Sequence, residues 1–72
     1  MKAFVLTITL HYEMEVSGVF KKLDEAIEHA KSFGERGIPA QVEEFSFGGS
    51  TGGTLRYTCG SNGYGRFMET RY

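Results

Sequence analysis

The alternation of residue types at the start of the chain constrains its fold more than any other feature. From Phe4 to Val16 every even position is apolar or aromatic, whereas the odd positions pass from small, aliphatic and Thr residues to His and Glu. This period of two predicts a half-buried β-strand. A strand over this whole segment would span roughly 43 Å, so we expect it to bend or to project beyond the helix, with its His and Glu end facing water. Ser17-Gly18 is the predicted break.

A helix is predicted after this break, because apolar residues recur at helical spacing. Lys22 stands where Ser or Asp is favoured as the N-cap, so we expect Phe20 to pack onto the helix side chains instead. Gly34 and Gly37 are both possible ends of the helix, and we favour Gly37 as a left-handed cap. The apolar face consists of Leu23, Ala26, Ile27, Ala30 and Phe33.

The segment 40–47 is predicted to be a second strand with an irregularity. Its alternation slips between Val42 and Phe45, and a β-bulge at Glu43-Glu44 would return both apolar residues to one face. The glycine-rich segment 48–53 contains no apolar side chain and is predicted to be a loop.

The end of the chain carries the pattern of a β-hairpin. Strand-like segments 54–61 and 64–71 flank Asn62-Gly63, the dipeptide favoured in two-residue type I′ turns. This turn would leave Phe67 on the sheet face away from the helix. The expected register opposes Ser61 to Tyr64, Cys59 to Arg66, Tyr57 to Met68, Leu55 to Thr70, and Arg56 to Glu69.

Together these elements predict a single α+β domain over residues 1–72, with the order β-α-β-β-β. One α-helix would pack on one face of a mostly antiparallel four-stranded sheet, which leaves the other face open to solvent or to a partner. The predicted core is Phe4, Leu6, Ile8, Leu10, Phe20, Leu23, Ala26, Ile27, Ala30, Phe33, Ile38, Val42, Phe45, Leu55, Tyr57 and Met68. The predicted open face carries Val5, Thr7, Thr9, His11, Arg56, Thr58 and Phe67.

Composition excludes several classes of function. The 72 residues carry a net charge of −1, which excludes a strongly basic nucleic-acid module and a highly acidic DNA mimic. The charge is uneven, since residues 1–45 sum to −3 and residues 46–72 to +2. The single cysteine, Cys59, excludes an intramolecular disulfide and favours a reducing cytoplasm. We identify no N-terminal signal and no run long enough to span a membrane.

Catalytic and cofactor chemistry is not predicted. His11, His29 and Cys59 lie far apart in the sequence and lack the short spacings of zinc ligands. The segment 48–53 lacks the Lys-Ser/Thr and the following helix that a P-loop requires. We therefore expect no metal, no cofactor and no enzymatic activity. A small enzyme would need a pocket near Cys59 or His11.

The pattern of the whole chain resembles small phage-encoded anti-CRISPR proteins that carry one helix on a small antiparallel sheet. The features that carry the resemblance are the 72-residue length, the opening strand Met1-Lys2-Ala3-Phe4-Val5, the helix pattern Leu23-x-x-Ala26-Ile27-x-x-Ala30, and the glycine-rich hairpin near the end. The resemblance implies a non-catalytic protein in the cytoplasm of the host cell. Such a protein would bind a CRISPR effector and block DNA capture or nuclease action.

The leading hypothesis is therefore a small protein that inhibits a protein partner by occlusion. Exposed Arg and aromatic side chains are frequent hot spots in such interfaces. A second hypothesis is a nucleic-acid-binding domain that uses Tyr64, Arg66, Phe67 and Arg71, and a third is a homo-oligomeric domain. The predicted partner-binding residues are Arg56, Tyr64, Arg66, Phe67, Glu69 and Arg71.

Overall fold

The computed structural model describes residues 1–48 and 52–72, and within them the chain forms an antiparallel sheet and one helix. The predicted α+β class is confirmed, but the sheet has five strands instead of four, in the order β2-β1-β3-β4-β5. The predicted loop 48–53 lies partly outside the described residues, since it includes residues 49–51. The elements are β1 (Lys2–Leu10), β2 (Glu13–Phe20), α1 (Leu23–Glu35), β3 (Ala40–Ser46), β4 (Thr54–Ser61) and β5 (Phe67–Arg71).

The additional strand arises from a tight turn at His11-Tyr12. The prediction of one long strand is wrong, because Leu10 pairs with Glu13 and the chain folds back on itself. Both turn residues have positive φ, 52° at His11 and 68° at Tyr12, as a type I′ turn requires. From Thr7 to Leu10, next to this turn, the antiparallel register places the even positions of β1 opposite the odd positions of β2. As a result Met14 faces away from the helix, although it continues the apolar alternation.

A bulge in β2 then returns the even positions at the end of that strand to the helix side of the sheet. Thr7 pairs with Val16 but Leu6 pairs with Gly18, so Ser17 is an extra residue in β2. Beyond the bulge Phe20 pairs with Phe4 on the helix side of the sheet. The Phe20 ring lies 4.8 Å from the ring of His29 on α1, as expected for an aromatic residue that packs onto the helix.

Both ends of the helix agree with the sequence prediction. Lys22 is the N-cap without a side-chain cap hydrogen bond. At the other end Gly37 has φ 82°, and its N–H donates to Gly34 O at 3.0 Å. The Ile38 N–H donates to Phe33 O, also at 3.0 Å. These two hydrogen bonds form a Schellman motif, which confirms Gly37 as the cap.

The predicted bulge at Glu43-Glu44 is wrong in its location. β3 pairs regularly with β1, and the register shift lies on β4, where Val42 opposes Tyr57 but Glu43 opposes Leu55. Arg56 is therefore the extra residue. The register of β4 with β5 is continuous to Tyr57, and the Tyr72 N–H donates to Arg56 O at 3.0 Å. The bulge at Arg56 therefore disturbs only the ladder with β3, whereas a bulge in β3 would disturb the ladders with both of its neighbours.

The last hairpin has a three-residue loop instead of the predicted two-residue turn. Gly65 N–H donates to Asn62 O at 3.0 Å and Gly65 has φ 77°, the pattern of a type I turn with a G1 bulge. Asn62 Oδ1 also accepts the backbone N–H groups of Tyr64 and Arg66, at 2.9 and 3.0 Å. Because the side chain of Asn62 holds this larger loop, Ser61 pairs with Phe67.

The changed register reverses the faces predicted for β5. Phe67 lies on the helix side and packs against the core, so its predicted position on the open face is wrong. Glu69 opposes Cys59 instead of Arg56. Met68, predicted to be in the core, is 54% exposed on the other side.

The core lies between α1 and the sheet, and most of its predicted members are confirmed. Phe45 and Leu55 are exceptions, since both are only partly buried and neither belongs to the core cluster. The buried cluster consists of Phe4, Leu6, Ile8, Ala26, Ile27, Ala30, Ala40, Val42, Tyr57 and Cys59. Leu10, Phe20, Leu23, Phe33, Ile38 and Phe67 pack against it.

Candidate functional site

No described element covers the sheet face opposite α1. The strand registers place side chains from all five strands on this face. Among these side chains Glu43 carries the only charge. We call this surface the open face, and it consists of Ala3, Val5, Thr7, Thr9, Met14, Val16, Val19, Gln41, Glu43, Phe45, Leu55, Thr58, Met68 and Thr70.

Large aliphatic side chains of the open face are exposed to water. Met14, Val16 and Val19 on β2 are 60%, 65% and 64% exposed, and Met68 on β5 is 54% exposed. A sheet face that contacts only water normally presents polar side chains. Contiguous exposed apolar patches of this kind often mark sites of protein interaction.

The one charge of the open face lies on its central strand. Glu43 is partly buried on β3, and its Oε1 accepts a hydrogen bond of 3.0 Å from Gln41 Nε2. Within the described part of the chain no basic side chain forms an ion pair with Glu43. The centre of the face therefore presents a carboxylate surrounded by apolar and Thr side chains.

Arg56, a predicted binding residue, is engaged within the domain. Its guanidinium donates to Glu44 Oε1, and the Lys2 ammonium lies 3.2 Å from Glu44 Oε2. These two cations, Lys2 foremost, hold the pKa of Glu44 below its ordinary value. The predicted pairing of Arg56 with Glu69 is replaced by this cluster.

Three further residues of the predicted binding set lie on the helix side of β5, namely Phe67, Glu69 and Arg71. Glu69 Oε1 accepts the hydroxyl hydrogen of buried Tyr57 at 2.9 Å and lies 3.9 Å from Lys31 Nζ on α1. The Arg71 guanidinium lies over the Tyr57 ring, 5.7 Å from its centre. Burial and the hydrogen bond to Glu69 raise the pKa of Tyr57. Together with Phe67, these residues attach β5 to the domain.

The remaining predicted residues lie at the tip of the last hairpin. Tyr64 is 97% exposed there, and Arg66 is exposed as well. The structure therefore distributes the six predicted binding residues among the β4 bulge, the helix side of β5 and the hairpin loop. None of the six lies on the open face.

The chain's cysteine and histidines are not brought together. Cys59 is buried and its thiol donates to Ala30 O at 3.2 Å. Burial raises the pKa of this thiol, which disfavours the nucleophilic thiolate. His11 lies in the turn between β1 and β2, and His29 contacts Phe20.

The sequence analysis missed a cleft at one end of the sheet. It has a volume of about 610 Å³ and lies where β2 leaves β1 and turns towards α1. It could not be expected from one long strand, because the cleft exists only where a second strand ends. Its lining consists of Met1, Lys2, Ala3, Phe4, Val19, Phe20, Lys21 and Phe47.

The chain was compared with protein-family models, with curated proteins and with solved structures, and no match was found. In the described residues no helix has the length and apolar character needed to cross a membrane.

Proposed function

We propose that this chain is a small, non-catalytic protein that binds another protein through the open face and inhibits it by occlusion. The observation that carries the proposal is the composition of that face. Its side chains are aliphatic, aromatic, Thr or amide with the exception of Glu43. Depletion of charge around exposed aliphatic residues is typical of the centre of a protein interface.

The dimensions of the open face suit a protein partner. Five strands spaced at about 4.8 Å form a sheet about 20 Å wide, and a nine-residue strand extends about 27 Å. This surface provides much of the roughly 800 Å² that each partner contributes to a standard interface. The hairpin tips at Tyr12 and Tyr64, both almost fully exposed, add aromatic side chains beyond the sheet.

The position of Glu43 favours a different protein over a second copy of this chain. A symmetric face-to-face dimer would bring the central strands of both copies, and with them two Glu43 carboxylates, close together. Burying two like charges without counter-charges is unfavourable. A partner that places an Arg, a Lys or a backbone N–H opposite Glu43 satisfies the carboxylate instead.

The alternative of nucleic-acid binding has less support from the geometry. The open face carries no basic side chain, and Arg56 is paired with Glu44. Arg71 lies against Tyr57, close to Glu69. At the hairpin tip, Arg66 then offers one cation for phosphate contacts and Tyr64 one ring for base stacking, which is few for a nucleic-acid-binding surface.

The resemblance to small phage anti-CRISPR proteins supports a CRISPR effector as the first candidate partner. In this proposal the domain would occupy a surface that the effector needs for DNA capture or for nuclease action, in the cytoplasm of the host cell. Inhibition by occlusion requires no pocket with reactive groups, which agrees with the burial of Cys59 and the raised pKa of its thiol.

A photo-crosslinking experiment tests the proposal. A benzophenone amino acid is introduced at Val16 on the open face or, as a control, at exposed Ser32 on α1. After irradiation in host cells, we expect a discrete adduct with an effector subunit from Val16 and none from Ser32. An adduct with nucleic acid or with a second copy would overturn the proposal, and so would equal labelling from both positions.

A further inference from the structure

At the cleft, no strand among the described residues pairs with the first part of the β2-facing edge of β1. β1 pairs with β3 as far as Lys2, opposite Ser46, but its pairing with β2 stops at Phe4, opposite Phe20. Two residues at the start of β1 therefore extend beyond β2. The edge of β1 that faces the cleft is an open strand edge.

The direction of the free backbone groups follows from the alternation along β1. The Phe47 N–H donates to Met1 O at 3.0 Å, and the Thr9 N–H donates to Pro39 O at 3.0 Å. Odd positions of β1 therefore direct their backbone groups towards the β3 side. The N–H and C=O of Lys2 point the other way, into the cleft, because successive residues of a strand alternate.

The walls of the cleft are mostly apolar. Phe4 and Phe20 meet on the helix side, whereas Val19 and Phe47 are about two-thirds exposed, at 64% and 66%. A volume of about 610 Å³ with such a lining is within the range of ligand-binding clefts. The cleft therefore has room for a bulky apolar side chain.

The charge at the rim of the cleft is positive. Among the described residues, two lysines and no acidic residue line the cleft. Lys2 is paired with Glu44 at 3.2 Å, whereas exposed Lys21 has no ion-pair partner among the described residues. Lys21 therefore favours a negatively charged group beside the apolar side chain.

From these features we propose that the cleft binds an extended segment of a partner polypeptide, in which a bulky apolar residue is adjacent to an acidic residue. The apolar side chain fills the cleft and the acidic side chain meets Lys21. The segment's backbone pairs with the N–H and C=O of Lys2, as in β-strand addition. This inference rests on the proposed function in that it takes the partner to be a protein.

Within residues 1–48 and 52–72 no strand pairs with the cleft side of Lys2, and its backbone N–H and C=O there favour a peptide over a fatty acid. A fatty acid supplies an apolar chain and a carboxylate, but it has no backbone to pair with Lys2. A peptide offers the apolar side chain, the carboxylate and the backbone groups together, at the spacing of adjacent residues on a strand. Binding of a fatty acid is therefore the competing outcome in the test.

Fluorescence anisotropy with labelled peptides tests the proposal. The probe is a capped hexapeptide with a central Phe-Asp pair, compared with peptides carrying Ala-Asp or Phe-Lys, and with a Phe-Asp peptide whose Phe amide is N-methylated. We expect the Phe-Asp peptide to bind most tightly, and each change to weaken binding about fivefold or more. Equal binding of all four peptides would overturn the proposal, as would no binding at millimolar peptide.

Two matched pairs of variants locate the binding site. Val19→Ser and Lys21→Glu alter the cleft, whereas Val16→Ser and Lys22→Glu make the same changes just outside it. Val16 is as exposed as Val19, at 65% against 64%, so neither Val substitution should unfold the domain. We expect the two cleft variants to weaken peptide binding about tenfold and the two controls to change it less than about twofold.

The competing outcomes are distinguishable. Dodecanoate that binds in the cleft and shows the same sensitivity to Val19→Ser, while peptides do not bind, would overturn the peptide assignment in favour of a fatty acid. Loss of partner binding in Val16→Asp together with unchanged binding in Lys21→Glu would overturn the cleft inference and leave the proposed function standing. Unchanged partner binding in Val16→Asp together with its loss in Lys21→Glu would overturn the role of the open face and leave the cleft inference standing.

Discussion

Phe67 of β5 packs directly against Gly34 of α1. A Cβ at Gly34 would lie 2.7 Å from Phe67 Cε1 and 2.7 Å from Cys59 Sγ, closer than such atoms approach in proteins. The contact joins the edge strand to the helix and holds the Phe67 side chain against the helix side of the sheet.

The close approach predicts that Gly34→Ala destabilises the domain. Alanine would gain up to about 1 kcal/mol in helix propensity, but overpacking against Cys59 and Phe67 costs about 1–3 kcal/mol. We expect a net loss of about 1 kcal/mol in the free energy of unfolding, measured by urea denaturation. Ser32→Ala, on the exposed side of the same helix, should be neutral or stabilising. A Gly34→Ala variant more stable than wild type would contradict the contact.

Phe67→Ala should reduce stability instead of acting on partner binding alone. The ring is partly buried against the core, and about half of the 3–5 kcal/mol cost of a buried Phe→Ala change is expected, about 2 kcal/mol. Met68→Ala is the matched control, because Met68 is 54% exposed on the opposite face and exposed changes typically stay within about 0.5 kcal/mol. Equal stabilities of the two variants in chemical denaturation would contradict the register of β5.

Substitutions in the turn between β1 and β2 should stabilise the domain. His11 and Tyr12 both have positive φ, a conformation that Asn-Gly adopts with less strain. The double substitution His11→Asn with Tyr12→Gly should raise the free energy of unfolding by about 1 kcal/mol. Tyr64→Gly is the control: among the non-glycine residues described, only His11 and Tyr12 have positive φ, so Gly should not stabilise the second loop. No gain in melting temperature from the double substitution would argue against the type I′ turn.

Acid should weaken the Glu44 cluster. The pKa of Glu44 is lowered in the folded state by Lys2 and Arg56, so the carboxylate stabilises the fold above the pKa of the unfolded chain. This stabilisation is lost as the pH falls through the lower folded pKa. Glu44→Gln should therefore be less stable than wild type near about pH 7, and the difference should shrink towards about pH 3.

Urea denaturation across this pH range measures the effect, with Glu28→Gln on the exposed side of α1 as the control. Glu28 makes no ion pair within the described residues. A stability difference between wild type and Glu44→Gln that is independent of pH would contradict the cluster.

Local signals explain which parts of the fold could be predicted. The helix and its Gly37 cap follow from residues within a few positions of each other, and both are confirmed. The turn at His11-Tyr12 has no Gly, Asn or Pro, and a two-residue turn does not interrupt an alternating pattern. Periodicity therefore could not separate β1 from β2, or show that the side chains of Met14 and Val16 lie on the open face.

The candidate site was harder to predict because it depends on register. Asn62-Gly63 suggested a two-residue loop, but Gly65 and the hydrogen bonds of the Asn62 side chain select a three-residue loop. This change turns Phe67 and Glu69 towards the helix and exposes Met68. The existence of an uncovered face was predicted, since one helix covers one side of a sheet, whereas most of its apolar residues emerge only from the pairing of all five strands.

The affinity of the cross-linked partner for two charge variants decides whether the open face is the docking surface. Val16→Asp adds a charge to the open face, and Ser32→Asp adds the same charge to the exposed side of α1. Circular dichroism first verifies that both variants are folded. We then expect Val16→Asp to weaken partner binding about tenfold or more, and Ser32→Asp to change it less than about twofold. Unchanged binding in Val16→Asp, or a greater loss in Ser32→Asp, would contradict the assignment of the open face as the docking surface.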